Sequence, residues 1–148
     1  MRKKIILIPT LFCFFMLSMI SCSSSDGQST STTSISNTLK NGTWRVTSYL
    51  NSGTDETTNF TGYNFTFGSP SSLIASNGTN LYHGDWSVNK DEFDLFYLHI
   101  GYTDINTSAN FAELDEDWHV ISYSSVTISL EKLSLVGSAT TRLVFTKS

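Results

Sequence analysis

The sequence predicts an all-β domain, an antiparallel eight-stranded up-and-down barrel beginning near residue 40. Three observations predict it. Apolar residues recur with a period of two from Gly42 onward, the mark of strands with one buried and one wet face. The connections are mostly short, and Asn77-Gly78 is a strong hairpin signal. Aromatic residues make up 13% of the chain while Pro occurs only twice, which fits a packed β core.

The strands follow from the alternation. Trp44, Val46 and Ser48 share one parity, and Arg45, Thr47 and Tyr49 the other. Tyr63, Phe65 and Phe67 alternate with Asn64 and Thr66, and Tyr82, Trp86 and Val88 with His83, Asp85 and Ser87. Val126, Ile128 and Leu130 alternate with Thr127, Ser129 and Glu131, and Leu143 and Phe145 with Arg142 and Thr146. The expected strands are 42–50, 61–68, 72–77, 80–89, 93–100, 117–124, 125–132 and 140–147, with turns at Asn77-Gly78, Asn89 to Glu92 and Gly137-Ser138. Short links force antiparallel neighbours, and closing such a meander removes its exposed edges. A two-sheet sandwich is the alternative. The one long connection, Gly101 to Glu116, carries Phe111-Ala112-Glu113-Leu114. In a helical turn Phe111 and Leu114 would share a face and could cap a barrel mouth; otherwise the segment is a surface loop pinned by one aromatic.

Ahead of the barrel the chain reads as an export leader and an anchor. Met1-Arg2-Lys3-Lys4 is basic, Ile5 to Ile20 is apolar, and the small Ser21 precedes Cys22. This is the layout of a secretory signal over residues 1–21. Met19-Ile20-Ser21-Cys22 resembles a lipobox, which implies cleavage before Cys22 and acylation of its thiol. Residues 22–39, rich in Ser and Thr, read as a flexible tether, leaving 40–148 for the barrel. Cys13 leaves with the leader, so the mature chain has no second thiol for a disulfide or a Cys-based zinc site. Loss of Arg2, Lys3 and Lys4 leaves six basic residues against thirteen acidic ones, a net charge of −7. Such a body repels phosphate backbones, so nucleic acid is not an expected partner.

Gly42-Thr43-Trp44 resembles the Gly-x-Trp signature of lipocalins. It is joined by Phe60-Thr61-Gly62-Tyr63-x-Phe65-x-Phe67, Gly84-Asp85-Trp86-Ser87-Val88, Asp117-Trp118-x-Val120 and Leu143-x-Phe145-x-Lys147. Together with the lipobox, these look like the lipocalin-like domains of Bacteroidetes-type outer-membrane lipoproteins. The resemblance implies a Trp44 that closes one barrel end, with Arg142 of the last strand packed across it. It also implies lipid anchoring in the outer membrane, on its periplasmic or surface face.

No catalytic constellation stands out. There is no Gly-x-Ser-x-Gly elbow, and the carboxylates cluster near turns rather than flanking a cleft. His83 with Asp85 and Asp117 with His119 could form a metal cage only if their strands met; they read as solvent-facing polar residues, and His99 as a packed one. Asp115-Glu116-Asp117 lacks the spacing of a calcium loop and reads as a solvated run. No metal and no cofactor is expected. The strand at Phe96-Tyr97-Leu98 is apolar on both parities, so one face calls for a partner. Phe96, Tyr97, Leu98, Tyr102 and Phe111 are therefore the candidate ligand-binding residues, with Cys22 the lipidation site. The expected function is a non-catalytic, monomeric, envelope-anchored binding lipoprotein that takes a small apolar or amphipathic molecule. The alternative is a structural or interaction lipoprotein with a filled barrel and a protein or glycan partner.

Overall fold

Strand β1 (Thr43–Asn51) holds the barrel together, because it pairs on both of its edges. In the computed structural model, which describes residues 30–104, 108–132 and 140–148, the leader, Cys22 and the Gly137-Ser138 turn lie outside the described residues. A two-residue stub, β2 (Thr54–Asp55), folds back on the end of β1, and a 3-10 turn spans Thr57–Phe60. Then follow β3 (Asn64–Phe67), β4 (Ser72–Ser76), β5 (Leu81–Lys90) and β6 (Phe96–Tyr102). Beyond them are a one-turn helix and three strands, β7 (Glu116–Tyr123), β8 (Thr127–Lys132) and β9 (Thr141–Lys147). Every pairing is antiparallel; β1 passes over the stub β2 to pair β3, the later strands pair in sequence order, and β9 returns to β1. The result is a closed eight-stranded antiparallel barrel of lipocalin-like form, with β2 as an appendage. Pairing of β9 with β1 excludes the two-sheet sandwich, which would leave both strands as edges.

One parity of each strand turns inward. Trp44, Phe65, Phe67, Leu73, Leu98, Ile100, Ile128, Leu130, Leu143 and Phe145 are all buried, and no buried side chain among the described residues is polar or charged. Tyr49 corrects the simple alternation. A register shift between Val46 and Ser48 moves the end of β1 by one place and turns Tyr49 into the core. Because the side-chain period is two, one extra residue reverses the faces beyond it.

The first helix, α1 (Thr32–Lys40), corrects the tether reading from Thr32 onward, while residues 22–29 lie outside the described residues. Its sequence is poor in strong helix formers, but Ile35 and Leu39, four apart, lie on one face and are fully buried. Ser31 caps it, its hydroxyl accepting the Ser34 N–H at 3.0 Å. Lys40 sits in the last turn, where the helix dipole favours a cation. The helix plugs the barrel end at which β1 begins, packing on β3 and β5. Trp44 Nε1 donates to the Leu39 carbonyl at 2.8 Å, closing this end as the resemblance implied. Arg142 does not pack across Trp44. It lies opposite Leu50 at the far end of β1, faces outward and sits 3.7 Å from Glu131; Lys147 is the residue opposite Trp44. Gly42 turns the chain from α1 into β1 at φ +121°, a backbone conformation that residues with a side chain rarely adopt.

Because α1 is a packed plug, Leu39→Ala is expected to cost about 2–5 kcal/mol, as for other core truncations. Urea unfolding measures it; a loss below about 0.5 kcal/mol, the range of surface substitutions, would return the segment to tether.

Candidate functional site

The opposite mouth is closed as well. The helix α2 (Ala109–Ala112) sets Phe111 into the barrel end, and Leu114 follows on the same face; both are buried. The Phe111 ring lies 4.4 Å from Tyr82, 4.8 Å from Tyr63, 5.4 Å from Phe60 and 5.5 Å from Tyr102, centroid to centroid. Trp118 Nε1 donates to the Leu114 carbonyl at 3.0 Å. Of the two sequence readings of this segment, the capping turn is the one found.

Of the five residues expected to bind a ligand, Tyr102 and Phe111 meet at the α2 mouth, and the five do not form one site. Leu98 and Phe111 are core, Leu98 being fully buried. Phe96 opens β6 at the α1 end, with Lys90 Nζ 5.8 Å from its ring centroid, and Tyr102 closes β6 at the α2 end. Tyr102 turns inward, and its buried hydroxyl has no hydrogen-bond partner among the described residues. Tyr97 points outward. The mixed parity of Phe96-Tyr97-Leu98 thus resolves into a core face covered from within and an outer face on which a tyrosine lies among polar groups.

That outer face carries a hollow of about 380 Å³, lined by Asn89, Lys90, Asp91, Tyr97 and Asp117. Asp91 builds it. One of its oxygens accepts the N–H groups of Phe93 and Leu95, each at 2.9 Å, which shapes the β5–β6 turn; the other lies 3.3 Å from the Tyr97 hydroxyl. The Tyr97 ring leans toward His119 with centroids 5.8 Å apart. Desolvation and the Asp91 carboxylate both push the Tyr97 hydroxyl above the ordinary tyrosine range. Strand register extends this face into a transverse row, Asn89, Tyr97, His119, Glu131 and Arg142, one residue from each of β5 to β9. Alternation of Tyr97 with His99 was the signal in the sequence, masked by the apolar residues between and before them.

The polar residues weighed for metal and calcium are spent on separate partners. His99, expected to be packed, is half-exposed on the outer wall, 2.8 Å from Asp117 and 3.7 Å from Asp85. His83 lies 3.4 Å from Asp104. Asp115 accepts the Tyr102 N–H at 3.1 Å, and Glu116 pairs with Lys132. At the α2 mouth, Tyr49 donates to Glu113 at 3.4 Å and Asn51 to the same oxygen at 3.3 Å. Among the described residues no group of three or more His, Cys, Asp or Glu side chains is arranged to hold a metal ion.

No protein-family model matches the sequence, and no curated protein does. A crystal structure of a DUF4847 family protein from Bacteroides vulgatus is similar to this chain, with a TM-score of 0.51 and 16% identity over 77% of this chain and 97% of that one. At that identity the likeness is one of fold.

The two mouth tyrosines give a pH dependence. Burial, then Glu113, raises the Tyr49 hydroxyl well above its ordinary value; burial, then Asp115, does the same for Tyr102. A raised folded value means that the neutral hydroxyl stabilises the fold below about pH 10, the unfolded value, and that this stabilisation is lost as pH rises beyond it. Spectrophotometric titration should therefore show part of the tyrosine absorbance changing late and together with unfolding. Tyr49→Phe and Tyr102→Phe should each reduce the late fraction; a titration complete near pH 10 with the fold intact would contradict the burial.

Proposed function

We propose that this chain is an envelope-anchored, non-catalytic interaction lipoprotein, held by lipid on Cys22, whose filled barrel offers its outer wall to a protein or glycan partner. The observation that carries this reading is the filled interior. Large rings occupy the core, α1 and α2 cover the two mouths, and a hollow of about 380 Å³ lies on the outer wall at Tyr97. A barrel of eight strands is just wide enough to be filled by its own side chains or to hold one small ligand. Here the first condition fits the packing better. The wall hollow combines an aromatic face with carboxylate, amide and ammonium groups. That set suits the CH faces and hydroxyls of a sugar, or a polar protein loop, better than an apolar molecule. No helix among the described residues is long and apolar enough to cross a membrane. In this reading the anchor is the lipid on Cys22. Several acyl chains, at about 0.8 kcal/mol per buried CH₂, would suffice.

A second reading keeps the small amphipathic ligand. The observation that favours it is the buried, unpartnered Tyr102 hydroxyl, since such groups normally have a protein or water partner.

Two measurements test the proposal. Mass spectrometry of the membrane fraction should find residues 1–21 gone and Cys22 acylated, and Cys22→Ala should shift the protein out of that fraction. Tyr97→Ala should abolish capture on a glycan array, or cross-linking to an envelope protein, while shifting stability by no more than about 1 kcal/mol. Unchanged capture by Tyr97→Ala, or a lipid that co-purifies with the protein in native mass spectrometry and is lost in Tyr102→Phe, would move the function into the barrel.

A further inference from the structure

We propose that the α1 end of the barrel is its membrane-facing end, and that the hairpin tips and groove there rest on a phosphatidylethanolamine surface. This deepens the lipoprotein reading and rests on acylation of Cys22.

The length of chain between lipid and barrel is the first argument. Nine residues separate Cys22 from Thr32, where α1 begins. As a flexible coil they span about 17 Å, and fully extended about 33 Å. Strands as long as β5, ten residues, make a tilted barrel wall roughly 25 Å tall. With the α2 end toward the bilayer, the linker would have to run back along the wall, stretched to about three quarters of its fully extended length and well beyond its coil dimension. With the α1 end toward the bilayer, an ordinary coil suffices.

The second argument is what that end exposes. Phe93, 74% exposed, tips the β5–β6 turn, and Val126, 53% exposed, tips the β7–β8 turn. Strands β6 and β7 are paired, so the two tips are neighbours on one rim. Side chains of this kind enter the boundary between headgroups and acyl chains when a surface lies on a bilayer.

The groove beside α1 supplies the polar half. It measures about 290 Å³ and is lined by Ser34, Asn37, Thr38, Asn41, Ser125 and Lys147. Among the described residues it holds hydroxyls, amides and one ammonium and no carboxylate, in a chain whose net charge after cleavage before Cys22 is −7. That is donor chemistry for a phosphate. Glu92, beside Phe93, is exposed and acidic, which disfavours a strongly anionic bilayer. A zwitterionic phosphatidylethanolamine headgroup answers both charges, its phosphate to Lys147 and its ammonium to Glu92.

The test uses the full lipidated chain in vesicles of phosphatidylethanolamine and phosphatidylcholine. Once the leader is gone and Cys22 acylated, an introduced cysteine is the only thiol available for a spin label. Labels at Glu92→Cys and Ser125→Cys are expected to show severalfold higher collision with oxygen, relative to a polar nickel complex, than one at Thr79→Cys in the β4–β5 turn at the other end. Adding Phe93→Asp and Val126→Asp to the Ser125→Cys chain is expected to bring its label to the level of Thr79→Cys. Equal, water-like collision at all three sites, with Cys22 shown by mass to be acylated, overturns the seating and leaves the anchor standing. An unmodified Cys22 overturns the anchor and the seating together.

Discussion

The fold depends on how a closed barrel ends. Closure satisfies the backbone of every strand laterally but leaves two mouths where apolar side chains would meet water. Here each mouth is covered by a short helical segment, and each cover is fastened by an indole. Trp44 donates to the Leu39 carbonyl at one end and Trp118 to the Leu114 carbonyl at the other. A helix leaves its last carbonyls without intrahelical partners, as at Leu39, the turn after α2 presents the Leu114 carbonyl, and a buried indole needs an acceptor for its N–H. One hydrogen bond answers both needs while the ring fills the mouth. The third tryptophan does likewise for a loop, Trp86 donating to the Gly68 carbonyl at 2.9 Å.

This constraint explains what was legible in the sequence and what was not. The eight strands were legible because burial on one face imposes a period of two, and the expected and observed strands differ by only a few residues at their ends. The departures have local causes. In β1 a bulge reverses the parity of Tyr49, and no residue type announces it. The α1 segment, Thr-Thr-Ser-Ile-Ser-Asn-Thr-Leu-Lys, has the composition of a tether. Only Ile35 and Leu39, spaced by four, and Ser31 ahead of them point to a helix. Such a short, Ser/Thr-rich helix is stable through the core it plugs rather than through its own propensity, and a core built from other parts of the chain is invisible to a local reading.

The candidate site was legible only in part, for a related reason. Phe96, Tyr97 and Leu98 read as a strand with two apolar faces, and that is correct for the strand; the partner of each face was not readable. Leu98 meets the barrel core, while Tyr97 meets His119 across the outer wall. Phe111 illustrates the reverse case. It is prominent in a long loop, where exposed aromatics are often functional, yet five neighbouring rings account for it as a plug. An aromatic in a loop is evidence of function only after its packing has been accounted for.

The same accounting decides where function can reside. Trp44, Trp118, Phe111 and the inward strand residues are all required by closure, so their presence says little beyond the fold. The outer wall is under no such requirement. Closure asks only that these positions be polar or small enough for water. Threonine or serine meets that need, and many positions here have one. Tyr97 in its polar hollow, and Phe93 and Val126 at adjacent tips, exceed it. Scattered exposed apolar side chains are ordinary on protein surfaces and need no cause. These differ in their placement: one beside a carboxylate-shaped turn on the wall, two on the rim from which the chain leads back toward Cys22. Placement, rather than residue type, separates the surfaces this barrel can use from the surface it merely has.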